Sequence, residues 1–194
     1  MPDDPEVYVS YAWAKERLNP LADELCAELD KQGWHIRRDS TELQSGDRIS
    51  NYMEQLSAGR CVLVILSRDY LRSEYCMTEL YRLYTNAKQR DQDFLHRILP
   101  LIQDDARIDS LRECANYALY WKNKYDELDE LTRAHSVEIL GKEGAPRFLR
   151  IGGFYRHVTD ILVYVNDVLI PRDRSSLSKD RFALIKALIE RALA

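Results

Sequence analysis

Six consecutive apolar residues, Cys61-Val-Leu-Val-Ile-Leu66, constrain this chain more than any other feature. A strand with one wet face alternates apolar and polar positions. A run that is apolar throughout suits a central parallel strand covered on both faces. It is also the longest such run in the chain, and a membrane-spanning helix needs about 20 residues. The run therefore predicts the middle of an α/β sheet.

The flanking sequence supplies the rest of an alternating pattern. Residues 6–10 (EVYVS) read as a first strand, and Leu21, Ala22, Leu25, Cys26 and Leu29 recur at helical spacing. Gly33 stops that helix as a C′ glycine does. Residues 34–38 are the second strand candidate, followed by a polar stretch at 39–47. Ile49, Met53 and Leu56 resume the helical period until Gly59. After the apolar run, Cys76, Leu80, Leu83 and Ala87 mark a long helix. Residues 98–102 are a fourth strand, 108–116 a short helix and 117–121 a fifth strand.

This order predicts a flavodoxin-like, doubly wound, five-stranded parallel sheet with helices on both faces. Ligand sites in such sheets lie beyond the carboxyl ends of the strands. Those ends are residues 11–13, 39–47, 67–73 and 103–107.

The last third is less regular. Residues 124–140 form an acidic helical stretch with Tyr125, Leu128 and Leu131 on one face. Residues 141–153 hold four of the seven glycines and Pro146, so they read as a loop or lid. Phe154, Val158, Ile161, Leu162, Val165 and Leu169 form an amphipathic helix closed by Pro171. A domain over 1–171 is expected, then a polar linker from 172. Leu184, Ile185, Leu188, Ile189 and Leu193 stripe a terminal helix. That helix reads as a linker toward a further domain, as a self-association surface, or equally as a helix packed on the core.

Charge and cysteine usage narrow the function classes. The chain carries 28 Lys+Arg against 32 Asp+Glu, a net charge of −4, which gives no support to gripping nucleic acid through bulk charge. The acidic start MPDDPEVYVS lacks the apolar core of a signal peptide. Cys26, Cys61, Cys76 and Cys114 stand singly in apolar or helical contexts, as reduced, buried thiols of a cytoplasmic protein do. No glycine-rich phosphate cradle is present. The four histidines lack metal-ligand spacing, so no metal site is expected.

What remains is Ser67-x-x-Tyr70-x-x-Ser73-x-Tyr75-Cys76-x-x-Glu79-Leu80, where the central strand breaks into a turn and enters a helix. Tyr75 and Glu79 are i,i+4 and share a helix face. An aromatic ring beside a carboxylate at a strand's carboxyl end suits a flat cationic ring. A surface acid in a helix rich in Arg82, Lys88 and Arg90 fits the spacing as well.

Three boxes in register resemble the TIR (Toll/interleukin-1 receptor) domain family over about residues 5–170. Tyr8-Val9-Ser10-Tyr11 is similar to its opening box. Asp39 with Leu43, Ser45 and Gly46 is similar to its BB loop. The segment 67–80 resembles its third signature, with Tyr75 where Trp is usual. Ala12-Trp13 stands where some members carry Arg or His. Size and spacing resemble the bacterial branch, many members of which cleave NAD+ between nicotinamide and ribose.

The resemblance implies that Glu79 is catalytic and that NAD+ is substrate, with no other cofactor. It places Ser10, Tyr11, Trp13, Asp39, Leu43, Ser45, Gly46, Ser67 and Tyr75 around the substrate. Nicotinamide leaves as a neutral molecule, so the reaction does not need the general acid of most glycosidases. One carboxylate can steady the developing ribosyl cation. Activation by TIR–TIR clustering in antiphage defence, with a sensor domain as partner, is the implied setting, without direct contact to nucleic acid or membrane. The alternative is a non-enzymatic TIR–TIR adaptor or host-mimicking module, and a third class is nucleotide processing by a related flavodoxin-like fold.

Overall fold

A computed structural model describes residues 6–12, 19–38, 61–89, 98–167 and 182–193. Two compact units emerge, one from residues 1–106 with 168–194 and the other from 107–167.

The first unit is built on four strands, β1 (Glu6–Tyr11), β2 (His35–Arg38), β3 (Cys61–Leu66) and β4 (Ile98–Ile102). All pair in parallel, in the order β2-β1-β3-β4. Every residue of β3 is buried, as its unbroken apolar run requires. β1 separates its faces by alternation. Val7, Val9 and Tyr11 join a core with α1 (Pro20–Asp30) and the terminal helix, while Tyr8 and Ser10 point to the other side.

Local chemistry sets the limits of α1. Asn19 caps it by accepting the Ala22 amide at 3.2 Å, and Pro20 fills the first turn, where no amide is needed. Beyond its end Gly33 adopts φ +83. The Trp34 and Gly33 amides then donate to the Leu29 and Asp30 carbonyls, the paired bonds of a Schellman ending.

β3 leads into the short α2 (Arg68–Arg72) and then α3 (Glu74–Gln89). Because β2 and β3 flank β1 on opposite sides, right-handed crossovers put α1 and α3 on opposite faces of the sheet. The chain reverses its winding between β1 and β3, so their carboxyl ends border the switch point where ligands bind in this architecture.

Four strands, not five, stand among the described residues. Residues 117–121, expected as the fifth, lie inside the 25-residue helix α4 (Leu111–His135) of the second unit. Ser110 caps this helix, and its buried Cys114, Tyr117 and Trp121 follow helical spacing. A five-residue aromatic run is ambiguous alone, and the longer period decides it.

The expected lid at 141–153 is also a helix, α5 (Gly141–Phe154), with Phe148, Ile151 and Phe154 buried three residues apart. Gly152 reflects packing. A Cβ on Gly152 would sit 2.8 Å from Tyr125 Cε2. That ring is stacked on Phe148 at 4.9 Å. The next helix, α6, spans Val158–Asn166, so Phe154 closes α5 instead of opening α6. Trp121 is fully buried with its ring edge-on to Phe154 at 4.7 Å, a core role for that aromatic pair.

The terminal helix α7 (Ala183–Leu193) packs its apolar stripe into the sheet unit. Ile185 and Ile189 are fully buried in the core with β1 and β3, and Lys186 pairs with Glu28 of α1 at 3.6 Å. The polar linker expected before it lies outside the described residues. All four cysteines are free and buried. Burial pushes the Cys61 thiol up to about 12, and Cys26 up to about 11 despite the neighbouring Arg38. Raised and buried thiols of this kind are disfavoured as thiolates and serve packing.

Candidate functional site

The third box of the sequence resolves into two consecutive helix caps. Ser67 accepts the Tyr70 amide at 3.1 Å and starts α2, and Ser73 accepts the Cys76 amide at 3.4 Å and starts α3. Each serine stands three residues before the amide it holds, which explains the Ser-x-x-Tyr-x-x-Ser-x-x-Cys spacing. α3 then buries Met77, Leu80, Leu83 and Ala87. Glu79, beside Leu80, is carried inward with them and is only 8% exposed.

Burying a carboxylate is costly unless hydrogen bonds replace its water. Ser10, the fifth residue of β1, donates to Glu79 Oε2 at 2.6 Å. Ser10 has a single proton, so its 2.9 Å contact with the Tyr70 hydroxyl has the phenol as donor. The result is a directed chain, Tyr70 to Ser10 to Glu79, linking the carboxyl ends of β1 and β3. Bonds to an ionised acceptor are short and each contributes about 1.5–3 kcal/mol. Cys76 lies alongside, with its thiol 3.9 Å from the Tyr11 carbonyl.

The structure brings together some of the expected site residues. Glu79 and Ser10 are in direct contact, and Tyr75, four residues before Glu79, is 50% exposed at the first turn of α3. Ser67 is buried and acts on the site by starting α2; its hydroxyl is engaged in that cap. Tyr11 is packed in the core shared with α1, because one step of strand alternation turns it away from Ser10. Trp13, Asp39, Leu43, Ser45 and Gly46 lie outside the described residues. Tyr70, which the sequence reading did not place at the site, contacts Ser10 there. The available signal was a polar aromatic three residues after a capping serine, one turn from the buried end of β3.

A family model described as TIR domain matches residues 7–133. The chain belongs to the TIR domain family. The matched span opens on β1, ends within α4 and includes Ser10, Tyr70 and Glu79. Twelve chains of solved structures match. Among them are the TIR domains of the activated Roq1 resistosome directly recognising the pathogen effector XopQ, 18% identical, covering 94% of this chain and 98% of that one, with a TM-score of 0.58. At that identity the likeness speaks for the fold. No match is found among curated proteins.

Proposed function

We propose that this TIR domain cleaves NAD+ at the bond between nicotinamide and ribose, with Glu79 as its catalytic carboxylate. The observation that carries the reading is the placement of Glu79: a buried acid, held by Ser10, at the carboxyl end of β1 where the sheet reverses its winding. A surface acid of α3 with a merely solubilising role would not be buried and bonded to the sheet.

The chemistry needs little more. As the C1′–N bond breaks, its electron pair goes to nicotinamide, which leaves neutral, and positive charge develops on the ribose. A carboxylate in a partly dry site stabilises that charge more than it would in water. Water then forms the new C1′–O bond and releases one proton, giving ADP-ribose; a nucleophile within the substrate would give a cyclic product. The Tyr75 ring, 50% exposed, would supply an aromatic face for a flat base.

We further place the chain in the bacterial type of the family, cytoplasmic and activated by TIR–TIR clustering in antiphage defence. The fold likeness to TIR domains of a resistosome supports self-association. The test is to follow nicotinamide release from NAD+ by chromatography, with the protein dispersed and then clustered on beads. Release that rises with density and disappears in Glu79→Ala supports the reading. Specific TIR binding without release at any density would replace it with the adaptor function.

A further inference from the structure

The geometry points to Tyr70 as a positioning residue that sets the catalytic carboxylate through Ser10, an inference that rests on the proposed NAD+ cleavage. Glu79 reaches inward on a side chain with three rotatable bonds, so something must select one rotamer. Ser10 does so from a rigid strand, but its own hydroxyl turns among three staggered positions. In only some of these does its proton point at Glu79.

Tyr70 removes that freedom. Its ring is fully buried, and its backbone is fixed by the Ser67 cap, so its hydroxyl approaches from one direction. Donating to Ser10 Oγ, it occupies a serine lone pair and leaves the serine proton for Glu79 Oε2. Hydrogen bonds in such a chain also polarise one another. Among the described residues of β1 and β3 on this face, the other side chains are apolar or engaged with one another. Tyr8 spends its hydroxyl on Glu6 at 3.1 Å, and Val62, Val64 and Leu66 of β3 are apolar.

A double-substitution cycle separates this role from simple packing. Tyr70→Phe keeps the ring and its burial while removing one hydroxyl. It is expected to lower kcat about 10-fold with KM within about 2-fold, and Ser10→Ala to lower kcat further. Because Tyr70 acts through Ser10, adding Tyr70→Phe to Ser10→Ala is expected to change nothing more.

A second readout is independent of turnover. In protein labelled with ¹³C at the glutamate carboxyl, the Glu79 resonance, assigned by its loss in Glu79→Gln, is expected to move in Tyr70→Phe alone. Effects that multiply in the cycle, or a resonance unmoved by Tyr70→Phe, would overturn the proposal, and the latter can be read even if Ser10→Ala fails to fold. A moved resonance in a protein that releases no nicotinamide would overturn the NAD+ reading and leave the relay standing.

Discussion

The two units bury different things. Among the described residues, the buried polar side chains (Ser10, Asn19, Ser67, Thr78 and Glu79) all belong to the sheet unit. The helical unit buries Cys114, Tyr117, Trp121, Phe148, Ile151 and Phe154 in an apolar and aromatic core. Buried polar groups are retained only where hydrogen bonds compensate them, and Asn19, Ser67 and Thr78 are accounted for by helix ends and a helix carbonyl. Ser10 and Glu79 terminate no helix. Their bond instead aims an acid at a strand end, which is why function is sought in one unit and only stability in the other.

The comparison breaks if substitutions in the helical core alter chemistry. Trp121→Ala removes the largest fully buried side chain among the described residues and is expected to cost about 3–5 kcal/mol in chemical denaturation. Nicotinamide release per folded molecule should be unchanged; a loss beyond the unfolded fraction would show that the units are coupled in function. Gly152→Ala tests the same core from the crowded side. Its methyl meets a Tyr125 ring already stacked on Phe148, so a loss of about 1–3 kcal/mol is expected from thermal unfolding. Equal stability would mean that this ring can yield.

The smallest effect sharpens the picture of the sheet unit. Desolvation works to raise the Glu28 carboxyl, but Lys186 and Lys31 outweigh it and hold it below the usual glutamate value. A carboxyl lowered by folding stabilises the protein above its unfolded pKa, and that contribution fades as pH falls through the folded one. Thermal midpoints measured from pH 6 down to pH 3 should therefore fall slightly less steeply in Glu28→Gln than in wild type. Parallel curves would show that the pairing of α7 with α1 contributes nothing measurable.

How much of this was legible in the sequence differs between the units for a physical reason. The strands β3 and β4 were readable because buried parallel strands are apolar runs bounded by polar turns, and both match their expected limits. In the helical unit, the run at 117–121 and the glycines of α5 both misled. The run's local composition favours a strand, and Gly152 reflects contact with Tyr125, an interaction no local window contains. Glu79 was legible through its spacing from Tyr75 and its resemblance to a family box. Its partner Tyr70 was not, since the link runs through Ser10, 60 residues away in sequence. A box of adjacent residues also hides the strand alternation that sends Tyr11 into the core shared with α1 and Ser10 to the opposite face.

The central claim is that Glu79 is held for chemistry and not for packing. The most direct measurement is the rate of nicotinamide release by clustered wild-type protein and Glu79→Gln, with the thermal midpoint of each taken on the same sample. Glutamine keeps the shape and can still accept the Ser10 hydrogen bond, so the midpoint should remain within a few degrees. Release should fall on the order of 10²–10³-fold. Release that persists within a few-fold in Glu79→Gln would contradict the account.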